Sequence, residues 1–146
     1  MIGTGVAGSL AVALIAVSAA LKGGAAQPGA DFDSPAIVLN GGRDVRVHGP
    51  IACPRNDTVR LRATISQRTD GATANGSWSG RCTGSPRRWK TIVKVTHGPS
   101  FVGGCARGAG LAVIRHAGTP VNRIKWQSPL TLSLSSGANT AQRAAC

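Results

Sequence analysis

Two alternating runs hold most of the groups able to do chemistry. Arg60 and Arg62 flank Leu61 in the first, with Arg68 just beyond it; Arg88, Lys90 and Lys94 sit two or four positions apart in the second. Side chains at every second position of a strand project to one side, so each run presents a row of cations. The chemistry of such a row is anion recognition, with a forked, bidentate grip where the cation is arginine. If the two strands are neighbours in one sheet, Arg60, Arg62, Arg68, Arg88, Lys90 and Lys94 merge into a single basic face, with Arg81 and Arg87 flanking the connection between them. Trp126, between Lys125 and Gln127 on a later strand, is a candidate aromatic contact.

Other chemistries find little support. The four cysteines stand 29, 23 and 41 positions apart, whereas zinc sites use close pairs such as C-x-x-C, so no metal and no cofactor is expected. His48, His97 and His116 each lie at or near a strand end, where a solvated or hydrogen-bonded imidazole is the ordinary case. Five aspartates and no glutamate leave few carboxylates for acid–base pairs. Gly76-Ser77-Trp78-Ser79-Gly80 places Trp78 where a nucleophile elbow needs its serine. The glycines from 103 to 110 lack the Gly-Lys-Ser/Thr ending of a phosphate loop. Asn56-Asp57-Thr58 and Asn75-Gly76-Ser77 match the three-residue glycosylation acceptor pattern, which arises often by chance. The chain is therefore read as non-enzymatic.

The charge balance is the strongest compositional signal. Thirteen arginines and four lysines face five aspartates, giving a net charge of +12. A GC-rich genome accounts for arginine over lysine, but not for the missing carboxylates. Such a balance favours anionic partners: nucleic acid, teichoic or other envelope polymers, or acidic lipid head groups. Aromatic residues make up only 3% of the chain, too few for the stacking platforms of single-strand binders. No groove-reading helix is expected either, so sequence-specific nucleic-acid binding is not.

The elements that must position these groups are strands. Residues 1–26 read as a signal peptide, with an uncharged run over 2–21 and small residues Gly24-Ala25-Ala26 before the cut; no basic residue precedes the run, and an uncleaved anchor is the alternative. Residues 27–35 form a flexible lead-in, 36–136 the folded domain, and 137–146 a tail ending in Cys146. In residues 58–66, Val59, Leu61, Ala63 and Ile65 share one face and Thr58, Arg60, Arg62, Thr64 and Ser66 the other. Runs at 45–48, 72–78, 88–96 and 130–135 alternate in the same way, and further short strands are read at 36–39, which is wholly apolar, 111–116 and 121–127. Turn signals at Asn40-Gly41, Gly49-Pro50, Asp70-Gly71, His97-Gly98-Pro99 and Gly118-Thr119-Pro120 separate them. The glycine-rich stretch at 101–110 reads as a bulge or loop that interrupts pairing. No helical period follows the leader. The expected fold is all-β: a two-sheet antiparallel sandwich of seven to nine short strands, preceded by an apolar leader helix.

The Cys53-Pro54 opening, Ile65-Ser66-Gln67, Gly80-Arg81-Cys82-Thr83-Gly84, Trp89 and Phe101-Val102-Gly103-Gly104 resemble a group of exported, uncharacterised immunoglobulin-like β-sandwich proteins of high-GC Gram-positive bacteria. The resemblance covers roughly residues 45–134. It implies an immunoglobulin-like sandwich and an exported location, and carries over no catalytic residue or ligand. Four cysteines allow three pairings. Cys53–Cys82 and Cys105–Cys146 are favoured: the first would pack beside a core tryptophan, the second would tether the tail. The functional expectation is a secreted or cell-surface module, a monomer, that binds an anionic polymer, membrane surface or partner protein through its basic face. The alternative is a secreted inhibitor, presenting the loop from Thr83 to Arg88, or a small-molecule carrier.

Overall fold

The structure, a computed structural model, describes residues 28–68 and 71–134. Eight strands follow one another: β1 (Gly29–Ala30), β2 (Ala36–Leu39), β3 (Asp44–Ala52), β4 (Thr58–Gln67), β5 (Ala72–Arg81), β6 (Arg87–His97), β7 (Gly104–His116) and β8 (Thr119–Leu134). A single turn of 3₁₀ helix at Asn40–Gly42 is the only helical element among the described residues. The expected leader helix, its cleavage site and the C-terminal tail fall outside those residues. No helix among them is long and apolar enough to cross a membrane.

The strands do not form two sheets. They run β3-β2-β8-β7-β4-β5-β6 and return to β3, a closed barrel of seven strands with β1 added along the end of β3. Closure comes from β3, whose residues Asp44 to Ile51 pair with Lys94 to Arg87 of β6. This corrects the expected immunoglobulin-like sandwich. Alternation shows which side of a strand is buried, and a barrel interior buries one side just as the inner face of a sandwich does. What separates the two is whether the first and last strands meet, a contact across about fifty residues that period two cannot encode. The arrangement is not wholly antiparallel either: β2 runs parallel to β8, with Ile37 opposite Ser133.

The core follows the alternation. Val59, Leu61, Ala63, Ile65 and Gln67 of β4 point inward and are buried, while Thr58, Arg60, Arg62 and Ser66 are exposed. They meet Val45, Val47 and Ile51 of β3, Trp89 and Val93 of β6, and Ala112 and Ile114 of β7. Each large aliphatic side chain fully buried in this way contributes about 1.5–3 kcal/mol. Gln67 is the polar exception. Its Nε2 donates to the carbonyls of Val102 and Cys105, and its Oε1 accepts from the Val102 amide at 3.0 Å, so all of its burial is compensated. Cys53 and Cys82 form the expected disulfide. Cys105 is not a free thiol; its expected pairing with Cys146 lies outside the described residues.

Three local expectations also change. The glycines at 108 and 110 are not a bulge, since β7 pairs with β8 without a break from Gly104 to Ile114. They are flat places for rings: a Cβ on Gly110 would lie 2.1 Å from the Trp126 indole, and one on Gly108 2.7 Å from the Phe32 ring. Gly49-Pro50 does not end β3, because the absence of a side chain at Gly49 lets the Asp31 backbone cross it. Residues 119–134 form one long strand through Pro129 rather than two. Pro129 lies upstream of Leu132, where the pairing of β8 with β2 begins; a proline is tolerated at such an edge position.

Candidate anion-binding face

The site is built on the outer surface of β4, β7 and β8. Antiparallel pairing puts directly opposed residues on the same face. Arg62 lies opposite Leu111, and Leu111 opposite Lys125; one step along, Arg60 lies opposite Val113, and Val113 opposite Arg123. Neighbouring strands are about 4.8 Å apart and alternate residues of one strand about 7 Å apart. Arg60, Arg62, Arg123 and Lys125 therefore mark the corners of a rectangle roughly 10 by 7 Å. All four are exposed. Arg107 and Arg115 stand at the two ends of the same stretch of β7, facing outward.

Between the cations the floor is apolar and low. Ala109, Leu111 and Val113 of β7 are half-buried. Arg62 and Thr64 on one side and Lys125 and Gln127 on the other wall a groove of about 450 Å³ over Ala109 and Leu111. Arg107 Nη1 reaches the Gln127 side-chain oxygen at 3.4 Å, spanning the groove at one end.

No carboxylate among the described residues is paired with this face. Asp33 pairs with Arg88 and stands 3.7 Å from the His48 ring; Asp44 lies 4.0 Å from the Lys94 ammonium. Asp57 is buried and meets His116 Nδ1 at 2.6 Å. Asp31 accepts from the Ser128 hydroxyl and the Phe32 amide. Among the described residues, every aspartate is thus committed elsewhere.

The six residues read from the sequence are divided by the fold. Arg60 and Arg62 belong to the face just described, and Arg68 sits exposed in the turn after β4. Arg88, Lys90 and Lys94 lie on β6, which is not a neighbour of β4: β5 runs between them and shows Asn75, Ser77 and Ser79 outward. Two of the three β6 cations have a carboxylate beside them, so that side is partly neutralised. Trp126 is not an outward contact. Its ring packs inward over Gly110, with its centroid 5.6 Å from Phe32 and 6.5 Å from Trp89, and its indole nitrogen is buried without a hydrogen-bond partner among the described residues.

The sequence reading missed Arg107, Arg115, Arg123 and Lys125. The signal was present, since Arg123 and Lys125 are two apart. What was missing was the knowledge that β7 separates β4 from β8. Two histidine–carboxylate contacts were missed as well, Asp57 with His116 and Asp33 with His48; among the described hydrogen bonds, those of the two histidines reach no hydroxyl. No cluster of three or more His, Cys or Asp side chains suited to a metal occurs among the described residues.

No protein-family model and no curated protein matches this chain. Among solved structures, a β-glucuronidase from glycoside hydrolase family 2 is similar over 71% of this chain at 14% identity, with a TM-score of 0.40. The matched region spans 11% of that much longer chain.

Proposed function

We propose that this protein is an exported, non-enzymatic β-barrel module that binds an anionic polymer through the outer face of β4, β7 and β8. The observation that carries the reading is the rectangle of Arg60, Arg62, Arg123 and Lys125, exposed and unopposed by any described carboxylate. Four cations on adjoining strands of a closed sheet meet a repeating anion with their backbone already ordered, which lowers the cost of binding. Arginine also fits phosphate and carboxylate oxygens with a fork that lysine lacks. The Cys53–Cys82 disulfide is consistent with an oxidising, extracellular compartment, and the apolar stretch at 2–21 supports export.

Binding by the oxidised protein to a panel of teichoic-type polymer, heparin, anionic vesicles and DNA, followed across a salt series, tests this reading. Arg60→Glu/Arg62→Glu/Arg123→Glu should lower affinity at least about tenfold at moderate salt, and binding should weaken steeply as salt rises. No binding at physiological salt, or binding indifferent to those reversals, would overturn it.

A second reading, a protease inhibitor, is favoured by one observation. The connection at 82–86 is held rigid by the disulfide, by the Gly84 amide donating to the Cys53 carbonyl at 3.2 Å, and by the Thr83 hydroxyl turned onto Ser85. Inhibition of a protease panel, abolished by cleavage or replacement of that loop, would support it over polymer binding.

A further inference from the structure

The basic face has a direction. Its cations do not scatter over a flat sheet; they line a trough that follows β7. Looking along that strand, the outward residues are Arg107, Ala109, Leu111, Val113 and Arg115. Arg60 and Arg62 of β4 form one wall and Arg123 and Lys125 of β8 the other, opposed in pairs across Val113 and Leu111. The walls are two strand spacings apart, about 10 Å between backbones. A single extended chain fits this width, and a duplex of roughly twice that breadth does not.

The floor discriminates further. It carries aliphatic groups and no exposed ring, because Trp126 is turned inward onto Gly110. Bases need π-faces to stack on, and the rings of a sugar likewise find no aromatic plate here. A slender, flexible carbon chain can instead lay its CH groups over Ala109, Leu111 and Val113. The walls set an anion spacing: the two cation pairs, Arg62 with Lys125 and Arg60 with Arg123, stand about 7 Å apart, the length of two residues of strand, with the uncharged Thr64 and Gln127 beside Ala109 and single arginines, Arg107 and Arg115, beyond at the ends. The arginine-rich walls suit a tetrahedral anion gripped by two or more N–H groups at once.

We infer that the ligand of this face is a linear aliphatic polyphosphodiester, a chain of small polyols joined by phosphates, lying along β7 from Arg107 to Arg115. This inference rests on the anion-binding reading above and narrows it to one chemical class. From Arg107 to Arg115 the trough is about 27 Å long. At one charge per roughly 7 Å it holds about four phosphates, so affinity grows with chain length up to four or five units and then levels off.

The test is a length series of oligo(glycerol phosphate) measured by calorimetry on the oxidised protein, alongside heparin oligosaccharides and oligo(dT) of matched charge. Expected are a plateau at four to five phosphates and a log–log salt slope of about −3. Arg62→Glu/Lys125→Glu should weaken binding at least about tenfold, whereas Lys90→Glu/Lys94→Glu, an equal change of net charge on the other side of β5, should weaken it less than about threefold because salt screens that distance. Ala109→Phe changes no charge, keeps a residue suited to strands and fills the floor; it should abolish the plateau. Circular dichroism checks each variant, and the length series on the unaltered protein stands even if a variant fails to fold. Equal or tighter binding of heparin or oligo(dT), affinity that keeps climbing with length, or equal sensitivity to the two reversals overturns the inference and leaves the broader anion-binding reading in place. Absence of binding to any polyanion overturns both.

Discussion

At the scale of single residues, the barrel depends on positions where nothing but hydrogen fits. Gly110 is buried under the Trp126 ring, which is itself held by Phe32 and Trp89 at centroid distances of 5.6 and 6.5 Å. A methyl there would lie 2.1–2.4 Å from three indole atoms, so the ring or the strand must shift to admit it. Gly110→Ala should therefore cost about 1–3 kcal/mol, measured by urea unfolding followed through tryptophan fluorescence. Adding Trp126→Leu should recover part of the loss, because the two changes share one contact. Simple additivity of the two costs would show that the ring is not what excludes a side chain. The same ring orientation decides what the outer trough can bind, since a Trp126 facing outward would have supplied the platform it lacks.

At the scale of elements, the β5–β6 hairpin is joined by a short backbone ladder. Its backbone ladder covers only Thr73 to Asn75 against His97 to Lys94. Toward the connecting loop, side chains take over. Thr91 donates its hydroxyl to the Ser77 carbonyl at 2.8 Å, Arg87 donates to the Arg81 carbonyl, and the Arg87 guanidinium lies 5.5 Å from the Trp78 ring centre. The disulfide to Cys53 anchors this splayed end to the entry of β4, where the Asp57 carbonyl also accepts from the Cys82 amide at 2.8 Å. Closing a loop across 29 positions restricts the unfolded chain by about 3 to 4 kcal/mol. Cys53→Ala/Cys82→Ala should lose about that much stability in denaturant titrations, with amide exchange rising first in residues 77–91. A uniform rise over the whole barrel would instead place the effect in the unfolded chain alone.

For the molecule as a whole, charge is the unusual quantity. A net charge of +12 with the described carboxylates committed to local partners leaves the outer surface repelling itself. Salt screens this repulsion over about 10 Å at 0.1 M. The melting temperature should therefore rise between 10 mM and 0.3 M sodium chloride, by several degrees for a domain of this size. It should rise further in low salt with a bound polyanion, which neutralises the same charges and stabilises the folded state by mass action. A melting temperature that falls with salt would mean that attractive pairs such as Arg88–Asp33 dominate. The closed barrel makes such crowding tolerable, because closure leaves few unpaired strand edges and gives each cation a fixed, outward position.

The chain's chemistry and its mathematics of two were written in its residues. Val59, Leu61, Ala63 and Ile65 against Arg60, Arg62 and Thr64 dictate a half-buried strand, because alternation is a local property of extended backbone. The same logic reached the all-β class and the outward arginines, whereas the pairing of Cys53 with Cys82 was one of three that the sequence allowed, favoured for a place beside a core tryptophan, and it is the one that formed. Which strands lie side by side is not local. Seven strands of similar pattern can close into a barrel or stack as two sheets with the same faces buried, and the choice is made by β3 meeting β6 and by β2 entering parallel to β8. The grouping of cations follows from that order. Arg60 and Arg62 are joined with Arg123 and Lys125, sixty residues away, and parted from Lys90 and Lys94 by β5. A binding face is a property of neighbours across the ladder, and only the folded chain decides who they are.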